Sequence, residues 1–146
     1  MQSIYPRSHY FVSIFREYGD DPWILYYLFS NGLPPESEDE FDRGFIHYVV
    51  MFDCINCLRY LHWLGVNIDS YDFNGETPCH YAARYGSIQC LMYLVENRCG
   101  FRKPSLLGKS AMILTRNYRN GLCYEYLNNV LDDQRERKEK KNNLQK

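Results

Sequence analysis

The sequence predicts an all-α solenoid, in which short helix-turn-helix units stack in a row and are joined by short loops or hairpins. Two observations lead there: an internal period of 33 residues, and helix start and stop signals that recur within that period. Shifted by one period, Tyr27, Tyr60, Tyr93 and Tyr126 coincide, as do Leu28, Leu61, Leu94 and Leu127. Leu25, Leu58 and Leu91 align with Tyr124, and His47 and His80 align with Ile14 and Ile113. A unit this short cannot bury its own apolar face, so copies must stack to make a core.

The third unit shows what one period encodes. Thr77 is a helix N-cap, and Pro78 follows at the first helical position, where a missing N–H costs nothing. Ala82 and Ala83 favour helix and allow close packing. Gly86 can adopt the left-handed conformation that ends a helix. Ser87 then opens a second helix, with Ile88, Leu91, Leu94 and Val95 on one face. Asn97 and Gly100 supply turn chemistry beyond it, and the polar stretch from Gly65 through Asn67 to Gly75 suits a turning loop.

The run Asp72-Phe73-Asn74-Gly75-Glu76-Thr77-Pro78-Cys79-His80-Tyr81-Ala82-Ala83, with Gly86 beyond, resembles the consensus of ankyrin repeats. The resemblance implies about four units, near residues 8–32, 39–65, 72–100 and 105–131, within a domain over 1–131. The second unit has Gly44-Phe45-Ile46-His47 in place of Thr-Pro-x-His, and Val49-Val50 in place of the alanines. In the fourth, Gly108-Lys109-Ser110-Ala111 is a diverged start and Arg119 replaces the terminating glycine. In the first, Asp21-Pro22 starts a helix from Trp23 to Ser30 that stops at Gly32. Terminal units lack a neighbour on one side, so divergence there is expected and the stack reads as complete in itself. The linker over 33–41, with Pro34-Pro35 and an acidic run over 36–42, is expected to be exposed. Residues 132–146 are charged and nearly devoid of apolar side chains, which predicts a frayed helix passing into disorder.

Composition bounds the function. Hydrophobic residues make up 45% and charged residues 24%, ordinary for one globular domain, and the net charge of -1 gives no general attraction to nucleic acid or acidic membranes. The longest apolar run, over 44–52, is too short to span a bilayer. No signal-peptide pattern opens the chain, so the six cysteines are expected as free thiols in the cytoplasm or nucleus. The aromatic share of 16% is high, and tyrosine serves cores and wet interfaces alike.

Candidate chemistry is weak. Cys54-x-x-Cys57 resembles half a zinc site or a redox pair, with His62 and Cys79-His80 as the available further ligands. Register favours a structural role, because Cys57, Cys90 and Cys123 occupy one repeat position. His47 and His80 are equivalent positions, which in the ankyrin resemblance implies structural residues bonding within their own repeats. Gly108-Lys109-Ser110 ends like a phosphate loop, but Lys103 stands where the earlier glycine belongs. The basic run over 135–141 is interleaved with glutamates, and reads as a solvated tail before an import or nucleic-acid signal. The expectation is therefore no catalysis, no metal and no cofactor. A metal-binding or redox protein remains the alternative, and the chain is expected to be a monomer that binds another protein.

The resemblance also implies where a partner binds: a concave groove made by the loop tips and first helices. Carried onto this sequence, its positions are Phe41, Arg43, Met51 and Phe52 in the second unit; Phe73, Asn74, Glu76, Arg84 and Tyr85 in the third; and Lys109 and Tyr118 in the fourth. Phe52, Tyr85 and Tyr118 stand one period apart and predict an aromatic line along the groove, with Phe41, Phe73 and Leu106 near a second line. The acidic run over 36–42 is a solubilising loop or a dock for a basic segment.

Overall fold

The computed structural model describes residues 6–146. Among them are eight helices: α1 (Arg7–Tyr18), α2 (Pro22–Ser30), α3 (Phe45–Met51), α4 (Ile55–Trp63), α5 (Pro78–Tyr85), α6 (Ile88–Glu96), α7 (Ala111–Asn117) and α8 (Gly121–Leu144). They form two rows. In one, α1, α3, α5 and α7 pack in succession; in the other, α2, α4, α6 and α8 do. Within units two to four, each first helix also packs on its own second helix. No strand forms among the described residues, and the one isolated bridge joins Glu38 to Gly44.

The 33-residue period is visible in the backbone. Positive φ occurs at Asp42, Gly75 and Gly108 in the loops before the first helices, at Asp53, Gly86 and Arg119 after those helices, and at Gly32, Gly65 and Arg98 after the second helices. Three turns of fixed geometry per unit explain why the period holds where side chains diverge. Asp53, Arg98 and Arg119 adopt the left-handed conformation without being glycine, at a cost of about 1 kcal/mol each. At Gly75 the absence of a Cβ is also steric, since one built there would meet Leu106 of the next loop at 3.0 Å.

The core runs the length of the stack between the rows. Its largest fully buried side chains include Tyr48, Phe45, Leu58, Leu61, Leu91, Leu94, Leu114 and Leu127. In the second unit Val49 and Val50 take the place of the alanines and are fully buried, so the bulk expected there is accommodated inside. At the N-terminal end, Phe11 packs against Phe45 (centroids 4.3 Å) and edge-on to Tyr48 (5.3 Å), so α1 covers the second unit's core on that side.

Three expectations are corrected. Residues 132–144 continue α8 as helix rather than becoming disordered. Cys123 and Leu127 anchor its start in the core, and the Lys, Arg, Glu and Gln that follow are strong helix formers even when fully exposed. The six cysteines are not all free: Cys79 and Cys99, outside the repeating cysteine position, form a disulfide within the third unit. The acidic loop is not uniformly exposed, because Asp39 is buried within it.

Candidate partner-binding surface

The surface rests on a repeated polar frame. In each loop one side chain accepts two backbone N–H groups. The Asp39 carboxylate takes those of Phe41 and Arg43, Asp72 those of Asn74 and Glu76, and the Ser105 hydroxyl those of Leu107 and Lys109. The Tyr48 hydroxyl donates to Asp39 and that of Tyr81 to Asp72, tying each loop to the first helix after it. Burial works to raise the Asp39 pKa, but the hydrogen bonds from Tyr48, Arg43 and the Phe41 N–H outweigh it and hold the carboxyl below its ordinary value.

His47 and His80 each join two units. Nδ1 of His47 accepts the Gly44 N–H at 3.2 Å, and Nδ1 of His80 accepts that of Thr77 at 3.0 Å, so each ring closes its own helix start. Their Nε2–H groups cross to the next unit, His47 donating to the carbonyls of Ser70 and Glu76 and His80 to that of Lys109. Burial lowers both pKa values, so these are neutral structural rings. Behind the first helices run parallel links: Asp20 accepts the N–H groups of Asn56 and Cys57, and Asp53 accepts that of Cys90. Both Asp positions lie one period apart in the sequence, a signal that was available but that names no partner by itself.

On this frame the loop tips form a ladder. The Phe73 N–H donates to the Phe41 carbonyl at 3.1 Å, and the Leu106 N–H to the Asn74 carbonyl at 2.9 Å. The rings of Phe41 and Phe73 consequently lie 5.7 Å apart, with the Arg43 guanidinium 4.7 Å from the Phe41 centroid. Phe41 and Phe73 are exposed, as are Leu106 and Leu107 beyond them. Tyr85 and Tyr118 are about half exposed, at 49% and 53%. Between them the Arg84 guanidinium lies 5.7 Å from the rings of both Tyr81 and Tyr118, and its Nε is buried without a hydrogen-bond partner.

Not every expected residue faces outward. Glu76 is 2% exposed and its carboxylate is taken by Arg84, so it braces that guanidinium instead of meeting a partner. Phe52 is half-buried because α1 covers it, its ring stacking on Phe15 at 6.1 Å. Met51, Asn74 and Arg43 are partly buried, and Lys109 is exposed. The aromatic line thus survives as Tyr85 and Tyr118, while the strip through Phe41, Phe73 and Leu106 is the more continuous of the two.

Among the described residues, no group of three or more His, Cys, Asp or Glu side chains is placed to hold a metal ion. Cys54 and Cys57 are buried, and burial pushes the Cys54 thiol up to about 12 and Cys57 higher still, so neither is an available thiolate. His62 bonds instead to the Tyr93 hydroxyl, at 2.6 Å. No described helix is long and apolar enough to cross a membrane.

A stack of helix pairs stitched loop to loop by inter-unit hydrogen bonds defines a helical repeat protein. The family model for ankyrin repeats (three copies) matches residues 11–130, and the chain belongs to the ankyrin-repeat family. It is similar to inversin from Gallus gallus, 26% identical over 109 residues, and to inversin from Homo sapiens at 25% over the same length. Each match covers 75% of this chain and 10% of the relative. A shorter match, 40% identical over 53 residues, is to the target of rapamycin complex 2 subunit AVO2 of Saccharomyces cerevisiae, covering 36% of this chain and 12% of that protein. The chain thus spans about a tenth of the length of the curated relatives it matches. Ankyrin repeats are protein–protein interaction modules.

Proposed function

We propose that this protein is a non-enzymatic recognition module, an adaptor, scaffold or inhibitor, that holds a partner segment across the loop tips and first helices of its second to fourth units. The observation that supports this reading is the tip ladder. Two inter-unit hydrogen bonds hold Phe41, Phe73 and Leu106 in a row while their apolar side chains stay in water. A rigid, solvent-facing aromatic strip beside an arginine has the composition of an energetic hot spot, and costs solubility if nothing covers it. Its backbone is already ordered, so a partner docks without the entropic cost of arranging it. AVO2, similar to this chain over 53 residues, is itself named as a subunit of a complex, in keeping with such a role.

The test is paired affinity capture from extract, comparing wild type with a Phe73→Ala, Tyr85→Ala, Tyr118→Ala variant of unchanged circular dichroism. Partners held by wild type and lost by the variant support the surface. Equal capture by both removes this face from the function, and capture of nothing specific by either removes the recognition reading itself.

A further inference from the structure

The opposite row of helices carries an aromatic feature that the tip ladder does not explain. Pro22, Trp23 and Tyr26 of α2 and Tyr60 of α4 line an open cleft of about 400 Å³. Trp23 and Tyr26 meet edge to face with centroids 5.6 Å apart, and Trp63 extends the wall by stacking on Tyr60 at 6.2 Å. Trp23 is 73% and Trp63 80% exposed. These are the chain's two tryptophans, and both lie on this one face. Burial and the neighbouring Tyr26 raise the Tyr60 pKa, which places the two phenols at one site.

The stretch of chain that carries α2 is one-sided in charge. Although the whole chain is nearly neutral, residues 17–42 carry eight carboxylates and no Lys or Arg, whereas residues 97–124 carry six bases and no acid. In a stack, order along the chain becomes order in space, so the net charge of -1 conceals an acidic first end and a basic last end. Asp21 caps α2 at Trp23 and so stands beside the cleft. Asp20, Glu36, Glu38 and Asp42 belong to the same acidic stretch. The base on α4, Arg59, is turned to the other side, its guanidinium 5.8 Å from the Tyr93 ring.

We infer that this cleft is a second docking site, which takes arginine side chains from an extended basic segment of a partner protein. Aromatic faces attract cations, tryptophan most strongly, and guanidinium stacks on them with less loss of hydration than ammonium. The Asp21 carboxylate beside the cleft and the acidic character of this end of the stack draw a basic segment in and disfavour an acidic one. A volume of about 400 Å³ falls in the range of clefts that hold several groups at once, larger than one cationic head requires. The site is independent of the tip ladder, being built on the other row of helices.

The test measures anisotropy of a labelled Gly/Ser peptide carrying spaced arginines, against the full chain. Matched peptides carry citrulline, which keeps the shape of arginine without its charge, or prolines with no charge. Saturable binding of the arginine peptide is expected, with a change in intrinsic tryptophan fluorescence. Trp23→Leu and Tyr26→Leu are both at exposed positions that leave the core intact, and each should weaken binding by about tenfold. A Phe73→Ala, Tyr85→Ala variant should bind as wild type does. Three results overturn the proposal: no binding of the arginine peptide, equal binding by the Trp23 and Tyr26 variants, or citrulline or proline peptides that bind as tightly as arginine. The second would assign the attraction to the acidic loop alone, and the third would make the cleft a reader of neutral segments.

Discussion

The Nε2–H of His80 donates to the carbonyl of Lys109 at 3.0 Å, across the boundary between the third and fourth units, and His47 reaches Glu76 over the same sequence separation. A ring that also accepts an N–H at its own helix start must be neutral to do both jobs, since protonating Nδ1 turns an acceptor into a second donor.

Stability should therefore fall in mild acid. Burial holds both histidines below their ordinary 6.5. As pH drops, the unfolded chain takes up these protons first, so stability present above about pH 6.5 is lost below it. Urea unfolding between pH 7 and 5 should show a slope approaching about 1.4 kcal/mol per pH unit for each ring. In His47→Gln one ring's share of that slope should vanish, and an unchanged slope would show that His47 is not buried neutral.

Gly75→Ala should be costly. It combines a positive φ with a Cβ 3.0 Å from Leu106 and 3.3 Å from that residue's backbone nitrogen, the nitrogen that makes the tip ladder. A loss of about 1–3 kcal/mol is expected by thermal or urea unfolding. Loss of protection at the Leu106 amide in hydrogen exchange would localise it; full protection would mean the ladder tolerates the methyl group.

Arg119→Gly should stabilise. Arg119 holds φ at 56° in the place where the third unit has Gly86, and glycine removes that strain. The expected gain is about 0.5–1 kcal/mol in urea unfolding. The same change at Asp53 should gain less or nothing, because it also removes the acceptor for the Cys90 N–H. Equal gains at both positions would show that this cross-unit cap contributes little.

Reducing agent should destabilise the wild type and not a Cys79→Ser, Cys99→Ser variant. The Cys79–Cys99 bridge closes a loop with a sequence separation of 20, for which chain entropy predicts about 3 kcal/mol. Wild-type urea curves that coincide with and without reductant would show that the bridge adds no stability.

Much of this architecture was legible in one sequence. The third unit stated its capping proline, its left-handed glycine and its second-helix face, and α5 and α6 follow them closely. The loop-tip strip was also partly legible, because Phe73 and Leu106 stand one period apart and Phe41 falls one residue out of that register. Other features were not. Glu76 occupies a variable, partner-facing position by pattern, but is turned inward by Arg84, a contact between side chains on different elements. Phe52 matches Tyr85 and Tyr118 in sequence yet is covered by α1, because the first helix of its preceding unit carries Phe15, whose ring stacks on it. The cleft between α2 and α4 was hidden because Tyr27 and Tyr60 served as markers of the repeat, which says nothing of how far their neighbours Trp23 and Trp63 stand out into solvent.

The sequence by itself determined the period, the helices and the order of the units, because helix caps, turns and apolar spacing act over a few residues and are written where they act. It also determined that charge is divided between the ends, since stacking preserves chain order. Only the tertiary structure decided which aromatic rings are walls and which are surface, that each histidine ties two units together, and that Cys79 finds Cys99. Those outcomes depend on distances between residues far apart in the chain, which arise only when neighbouring units dock and exclude water between them.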